Sequence, residues 1–473
     1  VTSDQYLVYW SLITDNWSLK NYPEVNKMEK LLELAKNHTD WAEIFHIKRD
    51  YRAVNFKSGQ VYNIEGEEEE GITLRVRKDG KTGFTSSTNV SDRETIFKRA
   101  MDIVSVSEKT PFQIPCYKNN DYREVQTFDE KLSHVNEEDL MKTGHEMMGV
   151  IKECKPSITV TAEVGRAKSN IRLLNTSGID KDFKRTFYTV SLCGTMVRDE
   201  EQLEIESTFS SVSFVDSQKD LAFKLVEDCT NSERTALIKS GTLPVIFSAR
   251  GFKTLYPPLY MAFCGDRVGK KISPLVDKLG EKIAPPFLNI VDDNTVPFGP
   301  LSGPMDDEGV PSRRNELIKE GILKGFYYDL AGAGKYNTES TGNGIKRASL
   351  YEGFKLTTPP NPWPGNFMIM PSEKSKGDLM KGIKKALIVE DVLGAGQGNN
   401  MSGEFSVNVV LGFLWEDGEI KGRVKDIMIA GNVFEVFKNL LWVAKDSRWE
   451  HSFFGIYNVP TMCFGDVNIA AKI

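Results

Sequence analysis

Five histidines, His38, His46, His134, His145 and His451, bound the metal and acid–base chemistry open to this chain. A catalytic zinc needs three protein ligands and a fourth position left to water. His145-Glu146 is the sole His-Glu pair, and the run HEMMGV places Gly149 and Val150 where a second histidine would be needed. His145 therefore reads as a helix-surface or half-buried residue, and His451 stands alone. The six cysteines, Cys116, Cys154, Cys193, Cys229, Cys264 and Cys463, include no C-x-x-C pair and read as buried, reduced thiols of a cytoplasmic protein. No G-x-S-x-G nucleophile elbow is present. A carboxylate pair for glycoside hydrolysis can be picked anywhere among 66 acids, so it carries no evidence.

Three other groupings have chemistry. In Asp307-Glu308-Gly309 the glycine permits positive φ, and two adjacent carboxylates either cap backbone amides in a turn or bind a partner's base. Arg313-Arg314 either grips a carboxylate bidentately or sits on a solvated face. The run GAGQGNNMSG, Gly394 to Gly403, has the look of a phosphate cradle. No lysine follows as a Walker A motif requires, and the next element is a strand. A mobile loop that backbone-pairs with a peptide or a partner fits it better.

Stepping outward, 473 residues exceed one ordinary core and imply two domains. With 40% hydrophobic and 27% charged residues the composition is that of a soluble protein. A net charge of −6 argues against direct nucleic-acid binding. No run approaches the ~20 apolar residues of a membrane span, and the N-terminus lacks a secretory pattern.

Residues 1–27 show no clear period and read as an extension outside the fold; Met28 opens the helix MEKLLELAKNH. Residues 28–240 alternate small sheets with helices. Strands are expected over Tyr51–Phe56 and Ile72–Val76, with a hairpin at Lys78-Asp79-Gly80-Lys81. The acidic run Glu67–Glu70 reads as a solvated hairpin tip. Ser91 is expected to cap a helix with Glu94 closing a capping box, and Asn136 to cap a second helix ending at Cys154. Strands resume from Ser157, with a turn at Asn175–Gly178. Ser240 to Pro244 is the boundary, and Pro257-Pro258 and Pro359–Pro364 mark loops. Residues 241–473 read as a mainly antiparallel β domain, with apolar strands at Ala386–Val392 and Phe405–Trp415 and a turn at Glu416–Glu419. The fold class is thus α+β in two domains. The apolar segments Val407–Trp415 and Val433–Val443 suggest a dimer contact.

Three blocks in order resemble the TldD/PmbA family, which includes zinc-dependent peptidases. They are MDDEGVPSRRNELIKEGILKGFYYD (Met305 to Asp329), Ser340-Thr341-Gly342-Asn343-Gly344, and Ile388 to Asn432 with its SGEFS and IAGN ends. In catalytic members the resemblance implies an H-E-x-x-x-H helix after the domain boundary and a cysteine near the C-terminus. Such spacing sets both imidazoles on one face, with the glutamate free to activate the metal-bound water. Here the matching stretch, Phe252 to Phe263, reads FKTLYPPLYMAF, with Pro257-Pro258 set to disrupt a continuous helix. The cysteine position falls near Ser452, and Cys463 comes several residues late.

The resemblance is therefore to the non-metal, PmbA/TldE-type branch, labelled modulator of DNA gyrase. It implies no catalytic residue and no cofactor on this chain, with Zn²⁺ expected in a TldD-type partner. Dimers with that subunit or with self are expected, as are peptide substrates. Asp307, Glu308, Arg313, Arg314, Ser402, Gly403, Gly431 and Asn432 are the expected peptide or partner contacts. A stand-alone homodimeric peptide- or regulator-binding protein, and a peptidase with relocated catalytic residues, are the alternatives.

Overall fold

A computed structural model describes residues 25–198, 201–346 and 356–472; the extension expected over residues 1–27 lies almost wholly outside them. The first half holds α1 (Val25–Lys36), β1 (Trp41–Lys57), β2 (Gln60–Lys78), β3 (Lys81–Ser87), α2 (Arg93–Val106), α3 (Glu130–Ser133), α4 (Glu137–Cys154), β4 (Thr159–Asn175), β5 (Asp180–Arg198), β6 (Glu201–Ser211) and α5 (Lys219–Asn231). Among the described residues its strands form one antiparallel sheet, ordered β3-β2-β1-β4-β5-β6. Asp79 and Gly80 both take positive φ in the tight β2–β3 turn, as a two-residue hairpin loop demands. At the β4–β5 turn, the Asn175 side chain accepts from the amides of Ser177 and Ile179.

Helix α1 and helix α2 cover one part of the sheet through Leu31, Ala35, Ile96 and Ala100. Asn136 caps α4 in a reciprocal capping box with Asp139. The α2 cap falls one residue later than expected. Asp92 accepts from Thr95 N at 3.2 Å, while Ser91 N is drawn to Asn89. The acidic run is also displaced, because the β1–β2 hairpin turns at Ser58-Gly59 and leaves Glu67–Glu70 within β2. There it faces the basic run of β1, with Arg49–Glu69 at 3.3 Å as a cross-strand pair of opposite charge and His46 Nε2 2.8 Å from Glu70 Oε1.

The second half runs β7 (Gly241–Phe247), α6 (Tyr256–Ala262), α7 (Gly265–Gly269), β8 (Ile290–Asp293), β9 (Arg314–Lys319), β10 (Ile322–Leu323), α8 (Leu330–Tyr336), β11 (Gly344–Ile345), β12 (Asn361–Pro362) and β13 (Phe367–Ile369). It continues with α9 (Lys376–Met380), β14 (Lys385–Leu393), β15 (Glu404–Glu416), β16 (Glu419–Arg423), β17 (Ile427–Asn432), α10 (Val433–Lys438), β18 (Leu440–Val443), β19 (Arg448–Ser452), β20 (Gly455–Val459) and β21 (Met462–Ala471). One sheet is ordered β14-β7-β21-β17-β15-β16, with β18 on β21; the other is ordered β10-β9-β8-β13-β20-β19. Pairing is largely antiparallel, with parallel joints at β7–β14 and β13–β20.

The β7–β14–β15 sheet is buried on both faces. Ile246, Ile388 and Phe413 pack toward α4, α5 and the first-half sheet, while Val245, Leu387 and Val389 pack toward α6 and the second sheet. Double burial explains the near-continuous apolar runs of β14 and β15. It also removes the premise for a dimer contact there, since Val407, Leu411, Phe413, Val433 and Phe437 are consumed by the chain's own core. Across the same joint, Arg250 and Lys224 meet Asp228 of α5 and Glu390 of β14. Pro257 and Pro258 open α6 rather than a loop, because first-turn amides have no intrahelical acceptor to lose. The thiols also depart from expectation. Cys229, Cys264 and Cys463 are buried, whereas Cys116 and Cys154 are exposed and Cys193 is half-buried.

Two glycines of α4 give a sign test of this packing. A Cβ on Gly144 would overlap the Phe56 ring, whereas one on Gly149 meets nothing within 4 Å. Helix propensity alone favours alanine at either place by about 0.5–1 kcal/mol, and overpacking costs about 1–3 kcal/mol. Denaturant unfolding should therefore show Gly144→Ala destabilised and Gly149→Ala stabilised by about 0.5–1 kcal/mol. Equal signs would contradict the packing of α4 on β1.

Candidate functional site

The acidic block of the sequence folds as a turn whose side chains reach inward. Gly309 takes φ +76, which reverses the chain. Asp306 Oδ1 accepts from the amides of Glu308 and Val310, both at 2.9 Å, and Oδ2 accepts from Gly344 N at 2.8 Å. Glu308 is fully buried. Its Oε2 accepts from Leu330 N at 2.7 Å, and its Oε1 pairs with the Arg75 guanidinium of β2. Arg75 also reaches Glu43 of β1 at 3.0 Å and lies over the rings of Trp41 and Phe112. Asp307 Oδ2 accepts from Lys346 N at 2.7 Å, and Lys346 Nζ donates to Thr73 Oγ1 at 2.9 Å.

Position 344 must be glycine, because a Cβ there would strike the Glu308 carboxylate. The S-T-G-x-G turn is held just as closely: Thr341 Oγ1 accepts from Tyr328 N at 2.8 Å, and Asn343 Nδ2 donates to Trp363 O at 3.0 Å and to Asp292. The two most recognisable blocks of the sequence thus bind one another.

Burial dominates the electrostatics. It raises the carboxyls of Asp306 and Asp307 above their ordinary range. It carries Asp292 to about 6. Burial and then the Glu308 charge carry Asp329, the α8 cap, to about 7. Lys346 is lowered by burial to about 8. Beside Asp306, Asp307 and Lys346 lies a cavity of about 230 Å³, walled by Ile47, Phe187 and Trp363.

The expected contact residues divide into three groups. Asp307 and Glu308 spend their carboxylates on intrachain partners, so the capped turn describes them better than an outward grip. Arg313 donates to Ser340 O, and the exposed Arg314 lies 3.3 Å from Asp293. Ser402, Gly403, Gly431 and Asn432 meet elsewhere, as the seat of α10. Asn432 caps that helix on Phe434 N at 3.0 Å and donates to Ser402 O at 2.8 Å, while Val433 N donates to Gly403 O at 2.8 Å. A Cβ on Gly403 would press into the Phe434 ring, and one on Gly431 would crowd Phe405. Sequence reading missed Glu43, Arg75 and Lys346, since strand alternation does not separate a buried ion from a surface one.

The stretch that matches the metal helix forms a short turn and α6, packed in aromatic core. Tyr256 lies 4.6 Å from the Tyr457 ring centroid and 5.3 Å from Phe367, and Tyr260 lies 4.8 Å from Trp363. Phe252 and Phe263 are fully buried. Ser452, at the cysteine position, is buried and donates to Gly455 O at 3.2 Å. His451 stacks on Phe187 at 5.3 Å, and burial lowers its pKa to about 4. Cys463 belongs to a different core, where burial pushes its thiol up to about 12. His145 is exposed, with its ring edge toward Phe56. Zinc takes imidazole, thiolate and carboxylate donors. Tyrosine and serine hydroxyls around α6 do not fit that set, and no group of three His, Cys, Asp or Glu gathers for a metal among the described residues.

The raised carboxyls predict a pH signature. The folded chain holds the Asp292 and Asp329 protons more tightly than the unfolded chain, whose aspartates titrate near about 3.9. Between pH about 4 and 7 unfolding therefore releases these protons, and their contribution to stability falls as pH rises. Asp329→Asn keeps a competent helix cap and removes one such group. Its stability relative to the unsubstituted protein should rise steadily from pH 4 to 7 in parallel melts. A flat difference would show that Asp329 titrates normally.

The comparisons agree with this geometry. The family profile described as PmbA/TldA metallopeptidase C-terminal domain matches residues 240–471, and that described as PmbA/TldA metallopeptidase domain 1 matches residues 42–104. The metalloprotease PmbA of Escherichia coli O157:H7 is 26% identical over 433 residues, covering 88% of this chain and 90% of that one. The crystal structure of TldE from Thermococcus kodakarensis superposes with TM-score 0.85 at 23% identity, covering 94% of this chain and 100% of the other. A Thermotoga maritima structure described as a putative modulator of a DNA gyrase gives 0.82 at 24% identity, covering 94% and 99%. With profiles of one family matching residues 42–104 and 240–471, the chain belongs to the PmbA/TldD family of metallopeptidase-related proteins.

Proposed function

We propose that this chain is a non-metal, PmbA/TldE-type subunit of a TldD/TldE-like metallopeptidase acting on small or unfolded peptides. The observation that carries this reading is the stretch Phe252 to Phe263. Where a catalytic relative would present two imidazoles and a glutamate, this chain commits Phe252, Tyr256, Tyr260 and Phe263 to an aromatic core. Aromatic rings and tyrosine hydroxyls in that stretch supply no imidazole or carboxylate for zinc, which suits a scaffold rather than a Lewis-acid site.

In this reading the TldD-type partner supplies Zn²⁺ and the general base, and this chain completes the chamber and shapes the approach of an extended peptide. The place of work is the cytoplasm, in keeping with six free thiols; among the described residues no helix is long and apolar enough to cross a membrane.

Purified chain should carry far less than one zinc per molecule by elemental analysis and should leave unfolded peptide substrates intact. Adding a TldD-type subunit from the same host should produce cleavage that a chelator stops. Stoichiometric zinc retained through dialysis, with cleavage by this chain alone, would overturn the reading.

A further inference from the structure

The cavity of about 230 Å³ between the first-half sheet and the second half contains a cation that the fold leaves half used. Its apolar wall is Ile47, Ala167, Ile171, Phe187, Leu301 and Ile456, and Trp363 closes one side. Its charged wall is Arg49, Arg185 and Lys346 against Asp306 and Asp307. The acids are spoken for: Asp306 takes three backbone amides, and Asp307 takes the amide of Lys346. Arg49 is drawn off to Glu69 of β2, and the Lys346 ammonium is held by Thr73 and the Phe45 ring.

Arg185 is held by neutral groups alone, with the Phe183 ring centroid 5.4 Å from its guanidinium carbon. Its Nη2 donates to the backbone oxygens of Ser302, at 2.7 Å, and Leu301. Its Nε is buried and has no hydrogen-bond partner. Among the described residues no carboxylate lies within ion-pair distance of it. Burial accordingly lowers the guanidinium pKa from its ordinary value, with Asp307 opposing the shift only at longer range. A buried N–H without an acceptor is a standing cost to the fold, larger for a charged group. Arg185 lines the cavity, and a planar guanidinium without a carboxylate partner is the usual recognition element for a carboxylate. The volume lies below the range of drug-sized sites, about 300–1,000 Å³, and suits a single small group.

We propose that this cavity binds a carboxylate carried on a small apolar body, with Arg185 as its charge partner. The shared chemistry fits either a free N-blocked apolar amino acid or the C-terminal residue of a peptide. The proposal goes beyond the subunit reading and does not need it, because binding is measured on this chain alone without zinc or partner.

The test is calorimetric titration of the full chain with N-acetyl-leucine, N-acetyl-leucinamide, and the peptide Ala-Ala-Ala-Leu with a free or an amidated C-terminus. The acids should bind at least tenfold more tightly than the matching amides. Arg185→Met, which keeps the apolar stem, should abolish that preference while its melting profile reports folding. Should that variant fail to fold, Ser169→Trp on the cavity wall should block both acids with Arg185 intact. Preference for the free peptide over N-acetyl-leucine would assign the site to peptide ends, and the reverse to small acids. Equal binding of acids and amides, no binding of either at millimolar concentration, or an acid preference that survives both substitutions would overturn the proposal.

Discussion

Arg75 lies in a sheet of the first half, and the carboxylate that neutralises it from across the molecule, Glu308, lies on a turn of the second. A buried guanidinium cannot be left with one partner, because removing either member of such a pair costs about 3–5 kcal/mol. Glu43 alone would leave Glu308 buried and unpaired, so the two halves must approach closely enough for all three groups to meet. Everything near the candidate site inherits that requirement. Glu308 orders Leu330 N, Asp306 orders Gly344 N, and Asp307 orders Lys346 N, so one acidic turn positions three separate segments. The same turn borders the cavity that Arg185 lines.

The sequence blocks that mark the family are, on this view, the joint of the fold before they are anything else. The acidic turn and the S-T-G-x-G turn interlock, and the SGEFS and IAGN ends of the third block seat α10. The two places where the resemblance implies metal ligands, the α6 stretch and Ser452, lie apart from this joint.

Much of this was legible in the residues. Turn chemistry placed the Asp79-Gly80 hairpin and the Asn175 turn, and the Asn136 cap placed the start of α4, because these signals are local. Ser91 and the acidic run were misplaced for a related reason: caps and hairpin tips compete with near neighbours, and Asp92 and Ser58-Gly59 won. The apolar segments around β15 suggested an external contact because sequence cannot say whether a strand is covered on both faces by its own chain. Glu43, Arg75, Lys346 and Arg185 were invisible, since each sits at an ordinary strand or loop position and acquires its partners only across the tertiary interface. The eight residues expected as peptide or partner contacts make mostly internal hydrogen bonds and ion pairs, because the turns that carry them are held by neighbouring segments of the same chain.

Hydrogen exchange on Arg75→Met tests the joint most directly. If Arg75 holds the acidic turn, exchange followed by mass spectrometry should show protection lost together in peptides spanning β1–β2 and residues 328–346, where Leu330 N and Gly344 N are bound. The amides of β14 and β15, held by their own ladder, should keep their protection. Loss confined to β1–β2, with residues 328–346 exchanging as before, would contradict the claim that one buried cation couples the two halves.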